Sequence, residues 1–128
     1  MKYLLDTHSF LWIITDDSKL SKKAQDIYLD SENDIFLSMA SIWELAIKSS
    51  QGKISLDKPL EEFVSEHVLG NNIEILEIKL PHVLRIEQLP FHHRDPFARL
   101  IISQAIEDSL PILGGDKAFD LYKIKRIW

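Results

Sequence analysis

The chain has 128 residues, 45% of them hydrophobic, with no cysteine and a formal net charge of −5. That length supports one domain with a real core, residues 1–128, and is too short for two. The missing cysteines exclude a disulfide framework and a thiolate metal site. They fit a reducing compartment, so a cytoplasmic protein is expected. No stretch approaches the roughly 20 apolar residues of a membrane span, and the N-terminus lacks the pattern of a signal peptide. The negative balance leaves nucleic-acid binding to a local basic patch or a metal ion rather than to overall charge.

The first apolar run, Lys2-Tyr3-Leu4-Leu5, predicts a buried strand and stops at Asp6-Thr7-His8. In open α/β sheets the functional crevice lies beyond the carboxyl ends of the strands, so Asp6 stands where chemistry is usually done. The competing explanation is that Asp6 caps a short helix over 9–14. Leu20, Ala24, Ile27 and Tyr28 then recur at helical spacing, with Ser21 as a cap. A short buried strand follows at 34–38, and Ile42, Trp43, Leu45, Ala46 and Ile47 predict a helix broken by Gln51-Gly52-Lys53. Glu44 lies in that helix three residues after Ser41, the spacing of a capping box. Its neighbours are apolar, however, and a carboxylate among them is costly unless paired or metal-bound.

Pro59 opens a helix whose stripe is Leu60, Phe63, Val64, His67 and Val68, stopped by Gly70-Asn71-Asn72; His67 on that stripe is a structural residue. A strand over 73–78, a short helix over 81–88 and a loop over 90–94 come next. Asp95-Pro96 then begins a strong helix with Phe97, Leu100, Ile101, Ala105 and Ile106 on its apolar face. Asp95 suits the N-cap and Pro96 the first helical position. A strand over 111–113 ends at Gly114-Gly115-Asp116, where two glycines predict close backbone approach and Asp116 either faces a crevice or caps the helix after it. The last segment, 123–128, alternates apolar and basic residues like an edge strand. The alternation of strand and helix predicts an α/β fold.

Asp6, Glu44, Asp95 and Asp116 thus fall at comparable junctions far apart in the chain. Four carboxylates converging on one pocket repel unless a cation joins them.

In this order and spacing, Leu5-Asp6-Thr7-His8 with Leu11-Trp12, the run Ser41-Ile42-Trp43-Glu44-Leu45-Ala46-Ile47-Lys48, residues 93–105, and Gly115-Asp116-Lys117-Ala118-Phe119-Asp120 resemble a PIN-domain ribonuclease. The type is the VapC toxin of bacterial type II toxin–antitoxin pairs. The resemblance spans nearly the whole chain and implies a three-layer α/β/α sandwich around a central, mostly parallel sheet. By the same resemblance Asp6, Glu44 and Asp116 hold one or two divalent cations, Mg²⁺ or Mn²⁺, with Asp95 beside them. Mg²⁺ takes oxygen ligands and keeps several waters, which suits a few carboxylates at strand ends and helix starts. A metal-activated water would cleave RNA without a side-chain nucleophile. A homodimer and a small cognate antitoxin are implied too.

Two positions depart from the family pattern. The family's Asp-Pro-Phe-Asp-Arg-Leu reads Asp95-Pro96-Phe97-Ala98-Arg99-Leu100 here, so Ala98 vacates an acidic position on the helix face of Asp95. Gly114 stands where a hydroxyl residue is common. Lys48, Arg94, Arg99 and Lys117, with His92 and His93, flank the acids and are the expected RNA contacts. A transition-metal site at His92-His93 lacks a third ligand nearby. Besides the ribonuclease, two readings stand: a PIN module that binds antitoxin or RNA without cutting, favoured by Ala98, and a receiver-like phosphoacceptor domain. The receiver would need an acceptor Asp after the strand at 73–78, where Lys79 stands.

Overall fold

Apolar runs separated by helices cannot pair through tight turns, so the strands of such a chain line up parallel, with helices as crossovers. The computed structural model, which describes residues 1–128, has five strands: β1 (Lys2–Leu5), β2 (Asp34–Ser38), β3 (Glu74–Leu76), β4 (Ile112–Leu113) and β5 (Arg126–Ile127). They form one sheet in the order β3-β2-β1-β4-β5, with every pairing parallel. Six helices connect them: α1 (Thr7–Thr15), α2 (Lys22–Leu29), α3 (Met39–Ser50), α4 (Leu60–His67), α5 (Leu80–Ile86) and α6 (Pro96–Glu107).

The period-two alternation of each strand divides its side chains between two cores. Tyr3, Leu5, Ile35, Leu37 and Leu113 point into one, against Phe10, Ala24 and Phe63 of α1, α2 and α4. Leu4 and Ile112 point into the other, against Ile101, Ile102 and Ala105 of α6 and Phe119 of a 3-10 turn at Lys117–Leu121. The result is the expected α/β/α sandwich, with a sheet that is wholly parallel. The stripes of α2 and α4 face the core, and half-buried His67 packs on Phe63 with ring centroids 4.8 Å apart.

Boundaries moved where local chemistry intervened. Helix α1 starts at Thr7, two residues before the run at 9–14, because the Asp6 carboxylate accepts the Ser9 amide and caps it there. The strand foreseen at 73–78 is only Glu74–Leu76, on the sheet edge with β2 as its single neighbour. A 3-10 turn at Leu69–Asn71 precedes it, closed by Asn72 at φ 58°, a left-handed conformation that Asn tolerates. No helix is long and apolar enough to cross a membrane.

Strand order decides where a site can form. From β1 the chain adds β2 and β3 on one side, then crosses back to lay β4 on the other. Connections leaving the carboxyl ends of β1 and β4 therefore part in opposite directions and leave a crevice between them. The order also excludes the receiver-like reading: that fold runs 2-1-3-4-5 with an interior third strand, whereas β3 here is an edge.

Candidate active site

Four elements bring the acids to this crevice. Asp6 follows β1 directly, Asp116 follows β4 through Gly114 and Gly115, Glu44 lies in the second turn of α3, and Asp95 caps α6. All four line one cavity of about 130 Å³, with Thr7, His8, His93, Ala98, Ile101 and Phe119. The vacated position thus faces the acids.

Capping and site chemistry prove compatible, because a carboxylate has two oxygens. Oδ1 of Asp6 accepts the Ser9 amide at 2.7 Å, Oδ1 of Asp95 the Phe97 amide at 3.1 Å, and Oδ1 of Asp116 the Ala118 amide at 2.9 Å. Each cap fixes its carboxylate against rotation. Capping alone does not account for Asp6, however. A cap contributes about 1 kcal/mol, whereas a buried unpaired carboxylate costs several, and Asp6 is only 5% exposed with no ion pair. Burial pushes its pKa up; the Ser9 hydrogen bond and the nearby His8 oppose this, and the charge of Asp116 adds to it.

Glu44 does not form the capping box suggested by its spacing. Ser38 is the N-cap of α3, its Oγ accepting the Ala40 amide at 2.9 Å, and Ser41 lies inside the helix, its Oγ accepting from the Thr7 hydroxyl. Glu44 is 4% exposed and its Oε2 takes a hydrogen bond from Lys48 Nζ at 2.6 Å, one helical turn on. Lys48 is thereby committed to Glu44.

His93 has a more specific place than a flanking cation. Its Nδ1 accepts the Asp95 amide at 3.2 Å, which leaves the proton on Nε2, and Nε2–H donates to Asp116 Oδ2 at 3.0 Å. The ring leans on Phe119. One imidazole so ties the start of α6 to the acid after β4, in the manner of outer-sphere residues that orient metal-site carboxylates.

Arg99 corrects the sequence reading. It is 5% exposed, and its guanidinium donates to the carbonyls of Ile86, Leu89, Pro90 and His93. With its donors spent on backbone, it is no phosphate contact; it pins the loop that carries His93. Arg94 and Lys117 are exposed beside the acids. Arg126, read as a solvent-facing edge residue, is instead partly buried: it bridges Asp120 at 2.8 Å and donates to the Gly114 carbonyl at 3.1 Å. Asp120 first, then Asp116 and Asp6, hold it firmly charged.

The glycines meet the expectation of close approach. A Cβ on Gly114 would lie 2.9 Å from Asp6 Oδ2, and one on Gly115 3.1 Å from the Trp12 ring. A hydroxyl residue at position 114 would therefore require the Asp6 carboxylate to turn.

No three acidic or histidine side chains stand close enough together to enclose a metal ion on their own. The arrangement fits a cation that is held by one or two carboxylates and completed by water, the usual mode of Mg²⁺. Asp6 and Asp116 are near enough to repel, both line the crevice, and Asp6 is buried without an ion pair of its own.

The PIN domain model matches residues 3–125 of the chain. No curated protein matches it by sequence at a significant level. Among solved structures, it is similar to a chain of the crystal structure of VapBC2 from Rickettsia felis bound to a DNA fragment from their promoter. The TM-score is 0.72 at 17% identity, over 99% of this chain and 98% of that one. With the fold, the strand-end acids and a family match over almost its full length, the chain belongs to the PIN domain family.

Proposed function

We propose that this chain is a divalent-cation-dependent endoribonuclease with Asp6, Glu44, Asp95 and Asp116 as its catalytic and metal-binding acids. The observation that carries the reading is Asp6, a deeply buried carboxylate at the switch point of the sheet, facing Asp116 without an ion pair of its own. PIN domains are in general nucleases, which supports phosphodiester hydrolysis as the chemistry. Asp6 and Asp116 would hold a divalent cation, Mg²⁺ or Mn²⁺, which would supply an activated water and offset charge on the phosphate. Around it the chain's residues position and neutralise. The caps fix Asp6, Asp95 and Asp116, the His93 N–H orients Asp116, and Lys48 offsets Glu44. Exposed Arg94 and Lys117 are the nearby cations for RNA phosphates.

The similarity to a VapBC2 chain supports placing it as the toxin of a toxin–antitoxin pair, with residues 1–128 as one PIN domain held by a small cognate antitoxin; the same proposal places it in the cytoplasm. A homodimer belongs to the same proposal, and the exposed Leu80, Val83 and Leu84 of α5 are an apolar surface for the second copy.

Two features favour a second reading, a PIN module that binds without cutting. Ala98 leaves the cavity one acid short, and Glu44 is already satisfied by Lys48. Cleavage of a mixture of transfer and ribosomal RNA with Mg²⁺ or Mn²⁺, beside an Ala98→Asp variant and a chelator control, separates the two. The ribonuclease reading expects metal-dependent cutting that Ala98→Asp raises by at least about tenfold, the scale on which metal-site residues act. Failure of both chains to cut with either metal would leave the binding module.

A further inference from the structure

One large apolar side chain on the loop before α6 is left in water. Phe91 is 80% exposed. Burying a phenylalanine is worth about 1.5–3 kcal/mol, so an exposed one on a rigid segment is a surface kept open. Its loop is rigid. The Pro90 carbonyl accepts from both Arg99 Nη1 at 2.9 Å and the Tyr122 hydroxyl at 2.7 Å, and that hydroxyl accepts the His93 amide at 2.9 Å. The buried Arg99 guanidinium lies against one face of the Phe91 ring, 4.1 Å from its centroid. The other face is presented to solvent, already ordered.

Next to it, His92 packs edge-on against Tyr122, with centroids 5.2 Å apart, at the wall of a cleft of about 430 Å³. Arg85, Leu121 and Lys123 also line that cleft, and no carboxylate does. Arg85 is paired with Glu107 at 2.7 Å, so Lys123 is the free cation of the cleft. The loop also joins the cleft to the acids, since His92 lines one cavity and His93, the next residue, lines the other.

An ordered aromatic face beside a cleft that has a free lysine and no carboxylate suits single-stranded nucleic-acid binding: bases stack on the ring while the backbone follows the positive charge. Sequence-reading of RNA likewise targets unstacked bases. We propose that Phe91 is a stacking platform for one unpaired base of the RNA substrate, and that the Arg85–His92–Lys123 cleft takes the adjoining backbone as it leaves the acidic cavity. This rests on the ribonuclease reading and adds to it a base-stacking subsite at Phe91 and the direction in which the strand lies.

The test is fluorescence anisotropy of a labelled oligouridylate of about a dozen nucleotides, with chelator present to prevent cleavage. Phe91→Ala should weaken retention by roughly five- to a hundredfold, the range measured for loss of a base–aromatic stack. Phe91→Trp should restore it. Lys123→Glu should weaken binding and flatten its salt dependence, whereas Lys23→Glu on the opposite layer should change little. An RNA duplex of the same length should compete poorly.

Undiminished retention by Phe91→Ala and Lys123→Glu would overturn the platform while leaving the ribonuclease reading intact. Equal competition by the duplex would overturn it too, because stacking needs an unpaired base. If Phe91→Ala spares RNA binding but abolishes self-association in sedimentation, the surface is a protein contact and the inference fails. If the unaltered chain holds no RNA at all, the platform and the reading beneath it fall together.

Discussion

A single residue, Asp6, concentrates the conflict between stability and the proposed function. Its Oδ1 caps α1, but the charge is buried and faces Asp116. Asparagine keeps the cap acceptor and removes the charge. Asp6→Asn should therefore melt higher than the parent in chelator at neutral pH, by about 1 kcal/mol in stability, as when a strained functional residue is relaxed. Under the proposed function Mg²⁺ or Mn²⁺ should raise the Tm of the parent by binding the folded state, and the same variant should lose that rise. A lower melting point in chelator would show that the buried charge is compensated by another route. At this scale the sequence was partly legible. Acids at junctions could be found from strand ends and cap spacings. The role of His93 could not, because its partner Asp116 lies 23 residues away, and the capping box at Ser41 failed because Ser38 starts the helix one turn earlier.

The segment between α5 and α6 shows how one side chain can set an element. Arg99 gathers four carbonyls from residues 86–93, and that grip holds both His93 in the acidic cavity and Phe91 outside it. Lysine has the charge but lacks the planar fork and cannot reach four acceptors at once. Arg99→Lys should cost about 2–3 kcal/mol in urea unfolding, the penalty for leaving buried polar groups unpaired beside a charge. Protease cleavage within 86–94 should rise with it. An unchanged midpoint would mean that water satisfies those carbonyls equally well. Helical position placed Arg99 beside an acid and suggested a phosphate contact. Its burial comes from the packing of a loop that has no period to read.

For the whole molecule, the sheet is closed on its β4 side by a two-residue strand, β5, anchored by the Arg126–Asp120 bridge. The Arg126 hydrogen bond draws the Asp120 pKa below its ordinary value of 3.8. A carboxyl depressed in the folded state contributes stability above the unfolded pKa and loses it as pH falls through the folded one. Asp120→Asn should therefore lower Tm near neutral pH, and the deficit should shrink as both proteins are taken below pH 3.8. A deficit that does not change with pH would show that the bridge acts through packing alone. The bridge also steadies the site, since Arg126 holds the Gly114 carbonyl two residues before Asp116.

What the sequence determined by itself was local or periodic: the alternation that makes an α/β sandwich, the caps at Ser21, Asp95 and Asp6, the glycine pair before Asp116, and the acids Asp6, Asp95 and Asp116 at element junctions, whereas Glu44 lies inside α3. These follow from spacing along the chain, which hydrophobic burial and backbone capping read directly. Tertiary structure alone decided that β4 lies beside β1, and with it that Asp6 and Asp116 share a crevice. It also committed Arg99 to backbone and left Phe91 in water. Each depends on which distant segments pack together, a choice made by the combined burial of two cores rather than by any pattern within one segment.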